Sequence, residues 1–116
     1  MNKEVLKEIG LQDGEISVYL ALLKLKDSTA TEITQETGLH RSYIYDIIEK
    51  LKEKGLVSFV IKNNIKYFRA SNPRKMLDYI KEKESEIREI IPELINLSKE
   101  KKEDIKVEIY KGKEGI

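Results

Sequence analysis

Apolar residues recur along most of this chain at the spacing of an α-helix, and in short runs at the spacing of a strand. Residues 2–9 set Val5, Leu6 and Ile9 on one side of a short helix, which Gly10 ends. Asp13 is a good N-cap for a second helix reaching residue 26, in which Ile16, Tyr19, Leu20 and Leu23 follow i, i+3, i+4, i+7. Asp27, Ser28 and Thr29 form a polar break. Thr29 then caps a short helix over 30–37, and Glu32 completes a capping-box pattern with it. Gly38 supplies a tight turn. Residues 41–54 carry the clearest periodicity: Ile44, Ile47, Ile48 and Leu51 face a core. At about 100° per residue, Ser42, Asp46 and Glu49 then point directly away. Tyr43 and Lys50 flank one side of that helix, and Tyr45 the other.

Two β-like runs follow, 57–61 and 65–70, with Lys62, Asn63 and Asn64 between them. Asn tolerates positive φ, so Asn63-Asn64 suits a tight hairpin turn; a slightly longer loop including Lys62 fits equally. Asn72-Pro73 then reads as the cap and first position of a long helix ending near residue 102. Within it Leu77, Ile80, Ile87, Ile91 and Leu94 keep spacings of three or four residues, with Glu84 at one seam position. That is a coiled-coil seam of about two to three heptads. Ile90, Ile95 and Leu97 widen the apolar surface, so the helix should pair with its copy or lie on the domain. Pro92 removes one backbone donor and predicts a kink. Residues 105–116 alternate Ile105, Val107 and Ile109 like a strand.

The predicted fold is mainly α with a small β-hairpin. A winged helix-turn-helix over residues 1–72 is followed by a long coiled-coil-like dimerisation helix over 73–104. A strand-like tail, 105–116, reads as the possible start of a further domain. This order of elements presents one helix to a DNA groove and a hairpin to the flanking backbone.

Charge supports that orientation. The net charge of the 116-residue chain is only +1. Residues 1–40, however, hold four Lys/Arg against seven Asp/Glu, whereas residues 41–69 hold seven Lys/Arg against three acids, a local excess of +4. Cysteine is absent, which excludes a disulfide framework, a thiolate zinc site and a cysteine nucleophile, and fits a cytoplasmic protein. The N-terminus has no apolar segment of the kind a signal peptide needs. No apolar run approaches the roughly 18 to 20 residues that span a bilayer. A single histidine makes no metal site, and no Gly-rich phosphate loop or carboxylate pair argues for catalysis, so neither enzyme nor cofactor is expected.

The candidate DNA contacts fall into two groups. At the helix-turn-helix they are Thr29 and Thr31, whose helix start suits a phosphate, with His40, Arg41, Ser42, Tyr43 and Tyr45. Arg41 sits where a side chain reaches a guanine edge, with a phosphate contact as its alternative. Tyr45 fits a place at the core edge as well as one on DNA. Asp46 faces outward, where a carboxylate can accept from a cytosine amine but more often pairs with a residue such as Lys50 along the helix. At the wing the candidates are Lys62, Asn63, Asn64 and Lys66.

Several stretches resemble the TrmB-like archaeal and bacterial transcriptional regulators. They are Gly10-Leu11 with Tyr19-Leu20-Ala21-Leu22-Leu23, Thr31-Glu32-Ile33, Arg41-Ser42-Tyr43-Ile44-Tyr45-Asp46, and Leu51-Lys52-Glu53-Lys54-Gly55-Leu56-Val57. The Arg-Ser-x-Ile-Tyr-Asp core is fairly specific for that family, whereas the last stretch is shared by many winged helices. The resemblance covers residues 1 to about 100, and the run from Val107 to Ile116 looks like the beginning of that family's second domain. It implies a winged helix-turn-helix, a homodimer and binding to operator sites in double-stranded DNA. Larger members carry a C-terminal domain that senses maltodextrin- or disaccharide-type sugars. A small-molecule effector is therefore expected only if such a domain lies outside this chain, and the strand-like tail favours a chain that continues. Two rival readings are a winged helix used as a protein-interaction module within a transcription complex, and a dimerisation unit whose long helix is the working part.

Overall fold

The structure, a computed structural model, describes residues 1–99. Five helices and one hairpin follow in the order α1 (Glu4–Glu8), α2 (Asp13–Leu25), α3 (Ala30–Thr37), α4 (Arg41–Glu53), β1 (Val57–Lys62), β2 (Ile65–Ala70) and α5 (Lys75–Lys99). Met1–Ile80 forms one compact unit, and a second begins at Lys81. The strand-like tail expected at 105–116 lies outside the described residues.

The first unit is built around α2. Its buried residues include Ile16, Val18, Tyr19, Ala21 and Leu22, so the buried face is wider than a single stripe. Leu23, expected in the core, is exposed. The face that α3, α4 and β2 cover is centred on Val18, Tyr19 and Leu22, and Leu23 lies off it. The α4 stripe of Ile44, Ile47, Ile48 and Leu51 closes the core with Ile33, Leu56, Val57 and Phe68.

Helix boundaries follow cap chemistry. Thr29 and Glu32 form the capping box: Glu32 N–H donates to Thr29 Oγ1 at 3.2 Å, and Thr29 N–H donates to Glu32 Oε1 at 2.8 Å. For α2 the N-cap is Gln12 rather than Asp13, with Gln12 N–H donating to Glu15 Oε1 at 2.7 Å. Asp13 is a good cap by residue type, but the position of Glu15 selects Gln12. Gly38 adopts φ 75°, the left-handed turn between α3 and α4. In the hairpin Lys62 pairs with Ile65, so Asn63 and Asn64 alone form the loop, at φ 52° and 63°. Two successive positive φ values define the primed turn that matches strand twist.

Ser28 is more than a polar break. Its N–H donates to Phe68 O at 2.9 Å and its carbonyl accepts from Phe68 N–H at 2.7 Å, adding a bridge to the edge of the hairpin. Beyond the sheet, Asn72 Oδ1 accepts from Arg74 N–H at 2.9 Å and α5 starts at Lys75, two residues after Pro73. The helix is continuous through Pro92.

Candidate nucleic-acid interface

The exposed side of α4 and the hairpin form a continuous surface, and its order can be read from the backbone upward. Helical periodicity turns Ser42, Asp46 and Glu49 outward. Strand alternation and the pairing of Phe59 with Phe68 and Ile61 with Lys66 put Phe59, Ile61, Lys66 and Phe68 on one hairpin face. Only Phe68 of these is buried. Phe59 and Ile61 overhang the core toward the tip, and Ile61 is 62% exposed.

Arg41, in the first turn of α4, is held from two sides. Its Nη1 donates to Thr31 Oγ1 at 2.8 Å, and its guanidinium carbon lies 5.9 Å from the centre of the Tyr45 ring. Tyr45 in turn meets Phe68 edge-on at 6.3 Å while remaining 43% exposed, so it packs at the core edge and faces solvent together. Phe68 meets Phe59 edge-on at 6.4 Å. Lys66 Nζ lies 4.3 Å and Lys52 Nζ 5.2 Å from the Phe59 ring centre. A run of three rings, Tyr45, Phe68 and Phe59, thus links Arg41 at the start of α4 to Lys52 and Lys66 beside the wing.

His40 is the N-cap of α4. Ser42 N–H donates to its Nδ1 at 3.4 Å, and the Ser42 hydroxyl lies 3.1 Å from the same nitrogen. Tyr43 turns the other way, onto α2, where a Cβ built on Gly14 would come within 2.5 Å of the Tyr43 hydroxyl. The structure therefore separates Tyr43, on the α2 side, from Arg41 and Tyr45, on the wing side.

The cations counted along 41–69 are not all displayed to solvent. Lys54 Nζ lies 2.7 Å from Glu15 Oε2, and Glu15 is only 1% exposed. Lys50 Nζ donates to Gln12 Oε1 at 3.4 Å, not to Asp46 as the helical spacing predicts. On the far face of the hairpin, Arg69 and Lys62 converge on Asp27. The Arg69 guanidinium donating to Asp27 holds that carboxyl below the usual carboxylate range, against a smaller opposing effect of burial. Lys62 Nζ also lies 5.0 Å from the Tyr67 ring centre. Sequence pattern alone does not reveal Asp27 and Arg69, because their pairing joins segments far apart in the chain.

Among the described residues no cluster of His, Asp or Glu is arranged to hold a metal ion, and no helix is long and apolar enough to cross a membrane.

A family model described as "Sugar-specific transcriptional regulator TrmB" matches residues 6–74, more than half of the chain. The chain belongs to the TrmB family. It is thus a member of a family of winged-helix transcriptional regulators. The chain is 36% identical over 77 residues to the HTH-type sugar-sensing transcriptional regulator TrmBL1 of Pyrococcus furiosus, covering 66% of this chain and 22% of that protein. It is 33% identical over 66 residues to the phenylalanine–tRNA ligase alpha subunit of Metallosphaera sedula, covering 57% of this chain and 14% of that subunit. The chain thus spans 22% or less of the length of both relatives. The solved structure of TrmBL2, described as an archaeal chromatin protein, superposes with a TM-score of 0.66 at 24% identity. That match covers 97% of this chain and 42% of the other, and it establishes the fold.

Proposed function

We propose that this TrmB-family chain is the DNA-binding part of a homodimeric, sequence-specific transcriptional regulator. Helix α4 enters the major groove, the wing grips the flanking backbone, and α5 pairs with its copy. The observation that carries this reading is the placement of Arg41. It stands at the exposed start of α4, with Thr31 and Tyr45 holding its guanidinium in place. An arginine fixed in advance loses little freedom when it meets a base edge, and a bidentate contact to guanine is the commonest specific one. Ser42, beside it, is exposed, and its hydroxyl can turn from His40 to a phosphate or base. Asn63, Asn64 and Lys66 extend the contact along the backbone.

The pairing of α5 rests on its surface. None of its residues is buried, and Leu77, Ile80, Ile87, Ile91 and Leu94 are all exposed. An apolar stripe of that length calls for a cover, and the heptad spacing fits a second copy. A small-molecule effector enters this reading only if a sensing domain exists outside this chain.

The test is a fluorescence-anisotropy titration of upstream-region and random duplexes at two salt concentrations. Binding should fall steeply with salt, with one duplex preferred by about 10³-fold or more. Arg41→Ala should weaken the preferred complex by roughly tenfold or more and relax the preference at one base pair. If Arg41→Ala leaves affinity and preference intact, α4 is not the reading helix.

A second reading, a protein-interaction module, draws on Asp46 and Glu49, which place carboxylates on the outward side of α4. Absence of DNA binding at low salt, from a folded dimer, would select it.

A further inference from the structure

The hairpin pairing sets Ser58 opposite Arg69, Val60 opposite Tyr67 and Lys62 opposite Ile65. Lys62, Tyr67 and Arg69 therefore share the hairpin face turned away from Phe68. Asp27 stands against that face. Arg69 Nε donates to Asp27 Oδ1 at 3.0 Å and Nη2 donates to Oδ2 at 2.7 Å, the two-pronged form of the pair. Lys62 Nζ lies 3.5 Å from the same Oδ2. Asp27 is held there by its neighbour, because Ser28 is bonded in both directions to Phe68. The cluster opens to solvent: side-chain exposure is 45% for Arg69, 57% for Lys62 and 29% for Asp27.

We propose that Arg69 and Lys62 form a backbone-phosphate site on the wing, and that the Asp27 carboxylate occupies it in the DNA-free protein as a built-in competitor. This inference rests on the DNA-binding reading. A phosphate diester offers the two cations the same oxygen geometry that Asp27 now supplies. The cluster keeps one positive charge in excess, so it attracts a polyanion. The resident carboxylate, within a Debye length of any phosphate at this face, lowers the yield of each contact. Arg41 and Lys66 have no such carboxylate partner among the described residues. Two kinds of cation follow, one group available at once and one released by exchange. Sequence-independent affinity is thereby set below what the count of wing cations implies.

The test compares the full chain with Asp27→Asn and Asp27→Ser, each first checked by circular dichroism and thermal melting. Both are titrated against a random duplex and the preferred duplex over a range of salt. Serine keeps a small acceptor for Arg69, so it covers the case in which asparagine disturbs the loop. Both variants should bind both duplexes about tenfold more tightly, with the slope of log K against log salt steeper by about one to two phosphates' worth. Adding Arg69→Gln to Asp27→Asn should remove most of that gain. Unchanged or weaker binding by the folded variants, with an unchanged slope, overturns the proposal and makes Asp27 a brace for the wing. A wild-type chain that binds no duplex at low salt overturns the DNA-binding reading itself, and the phosphate site with it.

Discussion

The phenol end of Tyr43 lies over Gly14, in the space that a side chain at position 14 would occupy. A Cβ built there would stand 2.5 Å from the Tyr43 hydroxyl and 2.5 Å from Ile47 Cδ1. Helices α2 and α4 can approach this closely only because Gly14 carries no side chain. The contact fixes the face of α4 turned inward, and hence the face, with Arg41, Ser42 and Asp46, turned outward.

Gly14→Ala should therefore destabilise the domain by about 1–2 kcal/mol. Alanine's better helix propensity, worth up to about 1 kcal/mol, is outweighed by overpacking that costs about 1–3 kcal/mol. Tyr43 is 45% exposed and has room to swing away, whereas Ile47 is buried. Tyr43→Ala in the same chain should then recover part of the loss. Thermal or urea melts of the two single variants and the double variant measure this. Additive losses would mean that Tyr43 does not share the contact.

What was legible in the sequence was local. The stripe Ile44, Ile47, Ile48, Leu51 specifies α4 because each member is set by its neighbours three and four residues away. Thr29 with Glu32, and Asn63 with Asn64, specify a cap and a turn within a few residues. What stayed hidden joins distant segments. Ser28 looks like a polar break until Phe68 is placed beside it. Lys50 and Lys54 look like outward cations until α2 brings Gln12 and Glu15 to them. Within the candidate interface, periodicity put Arg41 and Tyr45 at the start of α4. It could not tell that Thr31 would hold the guanidinium, or that Tyr43 would turn to Gly14.

The Glu15–Lys54 pair makes a second test. Glu15 is buried and accepts from both Gln12 N–H and Lys54 Nζ, each at 2.7 Å. Removing the lysine leaves a buried carboxylate without its counter-charge. Lys54→Met should cost about 3 kcal/mol, because breaking a buried pair from one side is worse than replacing both partners. Glu15→Gln with Lys54→Met should restore much of the stability, since a neutral amide still accepts from Gln12 N–H. Equal losses in the single and double variants would show that the carboxylate charge does not set the cost.

Asp27 gives a pH dependence with a definite sign. Its carboxyl is held low first by hydrogen bonding to Arg69, with Lys62 adding less. A group whose folded pKa lies below its unfolded value stabilises the fold above the unfolded value, about 3.9 for Asp. That contribution is lost as pH falls through the lower, folded value. A carbon-13 carboxyl titration should thus place the Asp27 midpoint below the ordinary range, and Arg69→Gln should move it up. A midpoint that does not respond to Arg69→Gln would show that the pair is not maintained in solution.

The proposed pairing of α5 makes the strongest quantitative demand, because its seam contains both favourable and unfavourable residues for a dimer. Ile87 and Ile91 are exposed on the seam, whereas Glu84 occupies a seam position and bonds to Arg88 on its own helix at 2.7 Å. An exposed pair of that kind contributes little, while an isoleucine in its place would bury apolar surface against the partner. If α5 pairs as proposed, Ile87→Asp with Ile91→Asp should convert that dimer to monomer at micromolar concentration. Glu84→Ile should lower the dimer dissociation constant about tenfold, roughly 1.4 kcal/mol. Sedimentation equilibrium measures both. Because the changes have opposite signs on one stripe, a generally disruptive helix mutation cannot mimic the pair of outcomes. A chain that stays dimeric with both aspartates would place the dimer contact elsewhere on the molecule.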